Sequence, residues 1–180
     1  YYTIIYSLYS FIAGGKKGLK AWWKNILPST FTALATCSSA ACIPVNIDSA
    51  KKMNISEDVC ETTISLATNL HQDGSVIGSI FKIMFLVCLF GTDLSDPSIM
   101  FQAIFTALIA SMLISAVPIG GGTVSEMMII TMMGFPVAAL PVLTMVATVI
   151  DAPATVLNAV GDTNCALLVS RAVDGKDWAK

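Results

Sequence analysis

The sequence predicts an all-α membrane protein, with broken transmembrane helices and two re-entrant helical hairpins arranged as an inverted repeat. Apolar residues make up 55% of the 180-residue chain and charged residues only 12%, about half the charged fraction of an average soluble domain. Residues 97–125 and 127–150 contain no charged side chain, and each stretch is long enough for a helix to cross a bilayer. Polar or glycine-rich clusters interrupt the apolar stretches, which is typical of broken helices and hairpin tips.

Charge and cysteine content exclude several other classes of function. The net charge is −2 and no long basic stripe occurs, so we expect no nucleic-acid partner. Five cysteines without a CxxC pair, together with a single histidine, argue against a zinc site, and we expect no bound cofactor. Lys16, Lys17, Lys20 and Lys24 lie close in sequence to Trp22 and Trp23, a combination typical of the cytoplasmic membrane interface. Residues 1–24 are therefore expected to be the end of a transmembrane helix followed by a cytoplasmic basic loop.

The segment 25–52 is predicted to form the first re-entrant hairpin. Basic residues lie at both of its ends, so a single crossing would place one basic cluster outside, against the charge rule. Small and polar residues at 36–43 suit the tip, and Pro44 suits the start of the returning helix. Irregular backbone at membrane depth survives only where protein or a water-filled cavity satisfies its polar groups, so the tip is a candidate ligand site.

The remaining chain repeats this plan of hairpin and broken helix. Residues 53–92 are predicted to form a broken transmembrane helix, because the polar cluster HQDG at 71–74 interrupts it. Residues 93–134 are predicted to hold an acidic loop and a second hairpin, whose breaker is PIGGGT at 118–123. Residues 135–180 are predicted to form the last transmembrane helix and a basic cytoplasmic tail. We therefore expect a multi-pass protein of the plasma or inner membrane.

The last helix is predicted to carry one polar face at membrane depth. Asp151, Thr155, Asn158 and Asp162 fall within about 60° of one another at 100° per residue. Each buried carboxylate is costly unless it is paired or faces water, and few basic residues lie nearby in sequence. A bound cation or a substrate ammonium group is the natural counter-charge, because hard cations prefer oxygen ligands. The same face could instead only hold helices together.

Four motifs, in this order, resemble the dicarboxylate/amino acid:cation symporters, a family that includes glutamate and neutral amino acid transporters. The motifs are SSAACIPV at 38–45, HQDGS at 71–75, the proline and glycines of 118–122, and DAPATVLNAVGD at 151–162. They resemble the serine-rich tip of the family's first hairpin, its unwound Asn-Met-Asp-Gly-Thr motif, its second hairpin tip and its polar eighth helix. The resemblance covers essentially the whole chain. It implies a homotrimer assembled through N-terminal helices that this chain lacks.

The resemblance also implies a role for each matching residue, with sodium as the coupling ion. The implied substrate-binding residues are Ser38, Ser39, Pro118, Gly120, Gly121, Asp151, Ala154, Thr155 and Asn158. The implied sodium-binding residues are Asp162, Asn158, Asp73 and His71. Asp151 would hold the substrate's amino group, and hairpin amides at Ser38 and Ser39 would bind its carboxylate. Ala154 stands where members with acidic substrates carry arginine, so the expected substrate is a small neutral amino acid.

Three alternatives stay open at this point. His71 replaces an asparagine of the family motif, which favours proton coupling, and a dicarboxylate substrate is a second possibility within transport. An intramembrane enzyme could use Ser38 or Cys37 as nucleophile with His71 as base, although no hydrolase motif surrounds them. A non-transporting remnant is the last alternative. The preferred hypothesis is a transporter and not an enzyme.

Overall fold

The chain is all-helical throughout residues 1–93, 95–116 and 121–175, the parts that its computed structural model describes. Its elements are α1 Ile5–Asn25, α2 Leu27–Thr36, α3 Ser39–Lys52, α4 Glu57–Leu70, α5 Asp73–Phe90, α6 Pro97–Ala116, α7 Gly121–Met133 and α8 Leu140–Val173, with a 3-10 turn at Val137–Ala139 before α8. Within these described residues, three stretches are long and apolar enough to cross a membrane: Glu57–Phe90, Pro97–Ile114 and Val137–Val173. The predicted all-α membrane class is confirmed to this extent.

These helices form two compact units, each with its own apolar core. The first unit comprises Tyr1–His71 and Thr155–Lys180, and the second comprises Gln72–Ala154. Trp22, Ile64 and Leu167 lie in the core of the first unit. Ile83 and Ile129 lie in the core of the second.

Helix α1 folds back on itself at Gly14–Gly15. The segment that follows, Lys16–Lys24, is the one that the sequence predicts to be a loop. Gly15 has φ 59° and ψ −147°, a conformation that is nearly restricted to glycine. The fold-back brings the rings of Tyr6 and Trp22 to 6.4 Å, whereas a straight helix would separate these residues by about 24 Å. The predicted basic loop is therefore wrong, because the lysines lie on a helical segment that packs its tryptophans against the first half of α1.

Helices α2 and α3 form a helical hairpin with a two-residue turn. Cys37 adopts the left-handed conformation at φ 47°, and the Ser38 hydroxyl caps α3 by accepting a hydrogen bond of 3.3 Å from the Ala41 amide. The prediction that Pro44 begins the returning helix is wrong, because this cap starts α3 at Ser39 and Pro44 lies inside the helix. Proline lacks the amide hydrogen that would otherwise bond to the carbonyl four residues earlier.

Within residues 57–90, His71 and Gln72 separate two helices. Helix α4 ends at Leu70, and His71 is extended at φ −89° and ψ 99°. Helix α5 begins at Asp73, so Asp73 and Gly74 form its first turn and do not belong to the unwound segment. The break is therefore two residues long.

The connection between α5 and α6 is a short acidic turn. Gly91 ends α5 in the left-handed conformation at φ 65°. Asp93 and Asp96 each accept a 2.8 Å hydrogen bond from a backbone amide, those of Ser95 and Ser98 respectively. These backbone bonds, together with bonds from the same serine hydroxyls, hold the pKa of both carboxyls below the usual value. Both aspartates therefore stay charged at neutral pH.

The first turn of α5 packs directly against the backbone of α8 within the second unit. A Cβ atom placed on Gly74 would lie 1.9 Å from the Ala154 carbonyl oxygen, a backbone atom that cannot move without shifting its helix. We therefore predict that Gly74→Ala lowers the free energy of unfolding by about 1–3 kcal/mol or more through overpacking. Thermal unfolding of the intact protein in detergent measures this loss.

The matched control for this substitution is Gly122→Ala. Nothing lies within 4 Å of a Cβ atom placed on Gly122, which is the second residue of α7. Alanine is the better helix former, so this variant is expected to unfold at or slightly above the parent temperature. Equal stability of the two variants would contradict the close α5–α8 contact.

Candidate functional site

The polar face of α8 enters the first unit as a row of buried side chains. Thr155 and Asn158 are each 6% exposed, and Asp162 is fully buried. The intervening residues Val156, Ala159 and Val160 are also buried and belong to the apolar core. A carboxylate in this position is far from bulk water, so its charge must be stabilised by neighbouring groups.

The last turn of α4 supplies two of those neighbours. The Thr68 hydroxyl lies 3.0 Å from Asp162 Oδ2 and can donate to it or to the Ile64 carbonyl at 2.8 Å. His71 Nδ1 lies 3.9 Å from Asp162 Oδ1, close enough for an ion pair if the imidazole is protonated. The end of α4 therefore places one hydroxyl and one imidazole against the carboxylate.

Gly161 makes room for this arrangement. A Cβ atom at residue 161 would lie 2.0 Å from His71 Cε1 and 2.8 Å from the Tyr6 hydroxyl. The Tyr6 hydroxyl itself donates a 2.7 Å hydrogen bond to the Leu157 carbonyl. Because glycine precedes Asp162, the His71 ring can lie directly over the α8 backbone.

The first hairpin packs beside the same part of α8. The Asn46 amide of α3 donates a 2.8 Å hydrogen bond to the Ala159 carbonyl. The Cys42 thiol, one turn closer to the tip, interacts electrostatically with Asp162. Ser38 and Ser39, at the start of α3, are partly exposed beyond these anchors. The structure thus holds the hairpin and the part of the polar face from residue 155 onward in one unit.

The second unit contains the other predicted site residues that the structure describes. Asp73 is the first residue of α5, and Ala154 packs its backbone against Gly74. Asp151 is exposed on α8, one turn before Ala154. Gly121 is the first residue of α7, whereas Pro118 and Gly120 lie outside the described residues.

Three residues of the first unit that the sequence did not single out form hydrogen bonds with the part of α8 between residues 157 and 162. They are Tyr6, Asn46 and Thr68. Thr68 lies three residues before His71 and therefore on the same side of α4, a spacing that could have indicated it. Asn46 is a lone amide in the returning helix of the hairpin, and Tyr6 had no distinguishing pattern.

The donor set around Asp162 suits a hard cation better than a transition metal. Within the described ranges, no group of three or more His, Cys, Asp or Glu side chains could hold a metal ion. Carboxylate, amide and hydroxyl oxygens are the ligands that hard cations prefer, and helix breaks can add carbonyl oxygens.

Comparison with known proteins supports transport. The L-cystine uptake protein TcyP of Bacillus licheniformis is 26% identical over 151 residues, which cover 82% of this chain and 32% of that protein. TcyP of Bacillus thuringiensis is 27% identical over 150 residues, with the same coverage. A putative sodium-dependent excitatory amino acid transporter of Caenorhabditis elegans, glt-6, is 25% identical over 155 residues, covering 86% of this chain and 28% of its own length. No solved structure matches the chain significantly.

The chain spans about a third of the length of these relatives. The profile of the sodium:dicarboxylate symporter family matches residues 1–172. This is a transporter family and the relatives are named for uptake or transport, so the alternative of an intramembrane enzyme is wrong. The chain belongs to the sodium:dicarboxylate symporter family.

Proposed function

We propose that the intact protein is a symporter that moves a small neutral amino acid across the plasma or inner membrane together with sodium. The observation that carries this proposal is the fully buried Asp162 carboxylate on α8, a helix long enough to span a bilayer. Such a charge costs several kcal/mol unless a counter-charge or water compensates it. A transported cation provides that counter-charge when it is needed and removes it on release.

The residues around Asp162 offer oxygen ligands for one sodium ion. Asn158 lies one turn earlier on α8, and the Thr68 hydroxyl touches Asp162 Oδ2. Family membership supports sodium as the coupling ion. We assign a second sodium site to Asp73 and the backbone at the α4–α5 break, with His71 replacing an oxygen-bearing residue there.

The substrate site is proposed at the two hairpin tips and the polar face of α8. Asp151 binds the substrate's ammonium group, Thr155 and Asn158 orient it, and amides at Ser38 and Ser39 bind its carboxylate. Pro118, Gly120 and Gly121 are proposed as further substrate-binding residues. In this arrangement both hairpins are re-entrant and the two halves form an inverted repeat. The intact protein is proposed to be a homotrimer in the bilayer, joined by helices outside this chain.

Ala154 is the basis for a neutral substrate. It carries no charge, one helical turn after Asp151, where an arginine would pair with a second carboxylate. TcyP is named for L-cystine, an amino acid with no net charge at neutral pH. Serine, alanine and threonine satisfy the chemistry of a site with one ammonium-binding carboxylate and no guanidinium. Cystine carries a second carboxylate, but its own second ammonium group compensates that charge, which aspartate lacks.

Proton coupling is a second candidate, which the distance of 3.9 Å between His71 Nδ1 and Asp162 Oδ1 favours. A protonated imidazole would satisfy the carboxylate in place of sodium. Transport would then depend on pH and not on sodium concentration. His71→Asn would replace the imidazole by an amide oxygen and should increase the sodium dependence of uptake.

We predict that Asp162→Asn raises the sodium concentration for half-maximal uptake by about tenfold or more, equivalent to about 1.4 kcal/mol of binding free energy. Asparagine keeps an oxygen that can accept the Thr68 hydrogen bond but removes the negative charge. The measurement is uptake of labelled alanine, serine and cystine by proteoliposomes containing the intact protein, at varied sodium and constant ionic strength.

Asp48→Asn is the control for this variant, since Asp48 is an exposed carboxylate that pairs with Lys52 at 2.6 Å on α3. It should leave the sodium dependence unchanged. An unchanged sodium dependence in Asp162→Asn would remove Asp162 from the cation site. Uptake that follows pH and ignores sodium in the parent protein would favour proton coupling.

We also predict that alanine, serine or cystine competes for uptake better than aspartate or succinate by about a hundredfold. A second carboxylate would be left unpaired in a low-dielectric site, at a cost of several kcal/mol. Competition against the labelled substrate in the parent protein measures the ratio. In Ala154→Arg the preference should move toward aspartate, because a guanidinium is restored.

Ala152→Arg is the matched control for Ala154→Arg, because it adds the same charge to α8 at a position rotated by about 200° from Ala154. It should not move the preference toward aspartate. If aspartate or succinate competes best in the parent protein, the neutral-substrate proposal is wrong.

A further inference from the structure

The second unit buries two charged side chains that the proposed substrate and sodium sites do not use. Lys82 on α5 is 5% exposed and Glu126 on α7 is 3% exposed. Lys82 belongs to a stretch long enough to span a bilayer. A charge at that depth is rare unless it pairs or serves function. Both side chains therefore need a partner.

The contact between α5 and α8 indicates which part of α8 lies beside Lys82. Gly74 packs against Ala154, and a Cβ atom on Gly78 would lie 3.4 Å from Ile150 Cδ1, so the two helices run antiparallel. Gly74, Gly78 and Lys82 repeat every four residues and share one face of α5. If this pairing continues for one more turn of each helix, Lys82 lies beside the part of α8 between Thr144 and Asp151.

Glu126 on α7 contacts the same part of α8. The Thr144 hydroxyl donates a 2.6 Å hydrogen bond to Glu126 Oε2. Lys82 interacts electrostatically with both Glu126 and Asp151. Among the described residues, no hydrogen bond or ion pair of close contact distance fixes the ammonium group on either carboxylate. One cation thus lies in the field of two carboxylates.

The second unit also buries several hydroxyl groups. The hydroxyls of Ser79, Thr106 and Ser125 are fully buried, and no described residue forms a hydrogen bond with them. Ser79 lies one turn before Lys82 on α5, and Ser125 precedes Glu126 on α7. The buried surfaces of α5, α6 and α7 therefore combine these polar groups with an apolar core.

We propose that Lys82 is a positioning residue that neutralises Glu126 and so leaves Asp151 as the single uncompensated carboxylate of the cluster. This inference rests on the proposed function and deepens it. One ammonium and two carboxylates sum to one negative charge, which one substrate ammonium group balances. The cluster therefore selects substrates that present a single ammonium group to Asp151.

Three variants of the intact protein test this charge balance. Lys82→Met leaves two uncompensated carboxylates, so uptake of alanine, serine and cystine should fall by about tenfold and lysine or ornithine should become a stronger competitor. Glu126→Gln keeps an acceptor for Thr144 but frees Lys82 to occupy Asp151, so the KM for the same substrates should rise by about tenfold. The double variant removes one charge of each sign and should return KM to within about threefold of the parent.

Thermal unfolding of the same four proteins provides a second readout that does not depend on transport. If Lys82 and Glu126 compensate each other, the double variant should lose less stability than the sum of the two single variants. Additive losses of stability, an unchanged KM in Glu126→Gln, or a double variant no closer to the parent than the single variants would each overturn the proposal. A parent protein that takes up none of the three amino acids would contradict the proposed function, while the stability comparison would still decide the pairing.

Discussion

The packing of the first unit depends on the fully buried carboxylate of Asp162. A carboxylate in this position requires hydrogen-bond donors or a cation from its surroundings, because the backbone amides of α8 are used within the helix. The end of α4 meets that need with Thr68 and His71, and the absence of a side chain at Gly161 admits the imidazole. The hairpin helix α3 is held to the same stretch of α8 through Asn46.

Close approach of backbones is the second feature on which the structure depends. Gly74 lets α5 meet the carbonyl of Ala154, much as Gly161 lets His71 lie over α8. Membrane helices associate through such small residues because lipid gives no hydrophobic drive toward other helices. The helices are interrupted at Cys37–Ser38 and His71–Gln72, where the backbone leaves the α-helical conformation.

Much of this architecture could be predicted from the sequence, because membrane-length apolar stretches and their breakers are local signals. The polar pair at the α4–α5 break and the long last helix were both predictable in this way. The fold-back of α1 at Gly15 was not, since lysines around two tryptophans suggested an interfacial loop, although Lys16, Lys20 and Lys24 recur every four residues as in a helix. Pro44 misplaced the start of α3, because the capping hydroxyl of Ser38 acts earlier in the chain.

Partners that are distant in sequence were beyond the reach of pattern analysis. The approach of Thr68 to Asp162, and of Thr144 to Glu126, depends on how separate helices pack. Lys82 and Glu126 are charged residues among apolar neighbours in the sequence, but only packing showed that they share the surroundings of Asp151. The sequence therefore indicated which residues carry charge, and the fold showed which charges meet.

The central claim is that a cation gradient drives a neutral amino acid through this protein. The most direct measurement loads proteoliposomes containing the intact protein with potassium buffer, imposes sodium outside only, and follows labelled alanine, serine and cystine with time. The account predicts transient accumulation of at least one of them above its final equilibrium level, and no such overshoot when choline replaces sodium. Uptake that reaches only the equilibrium level with or without the sodium gradient would contradict it.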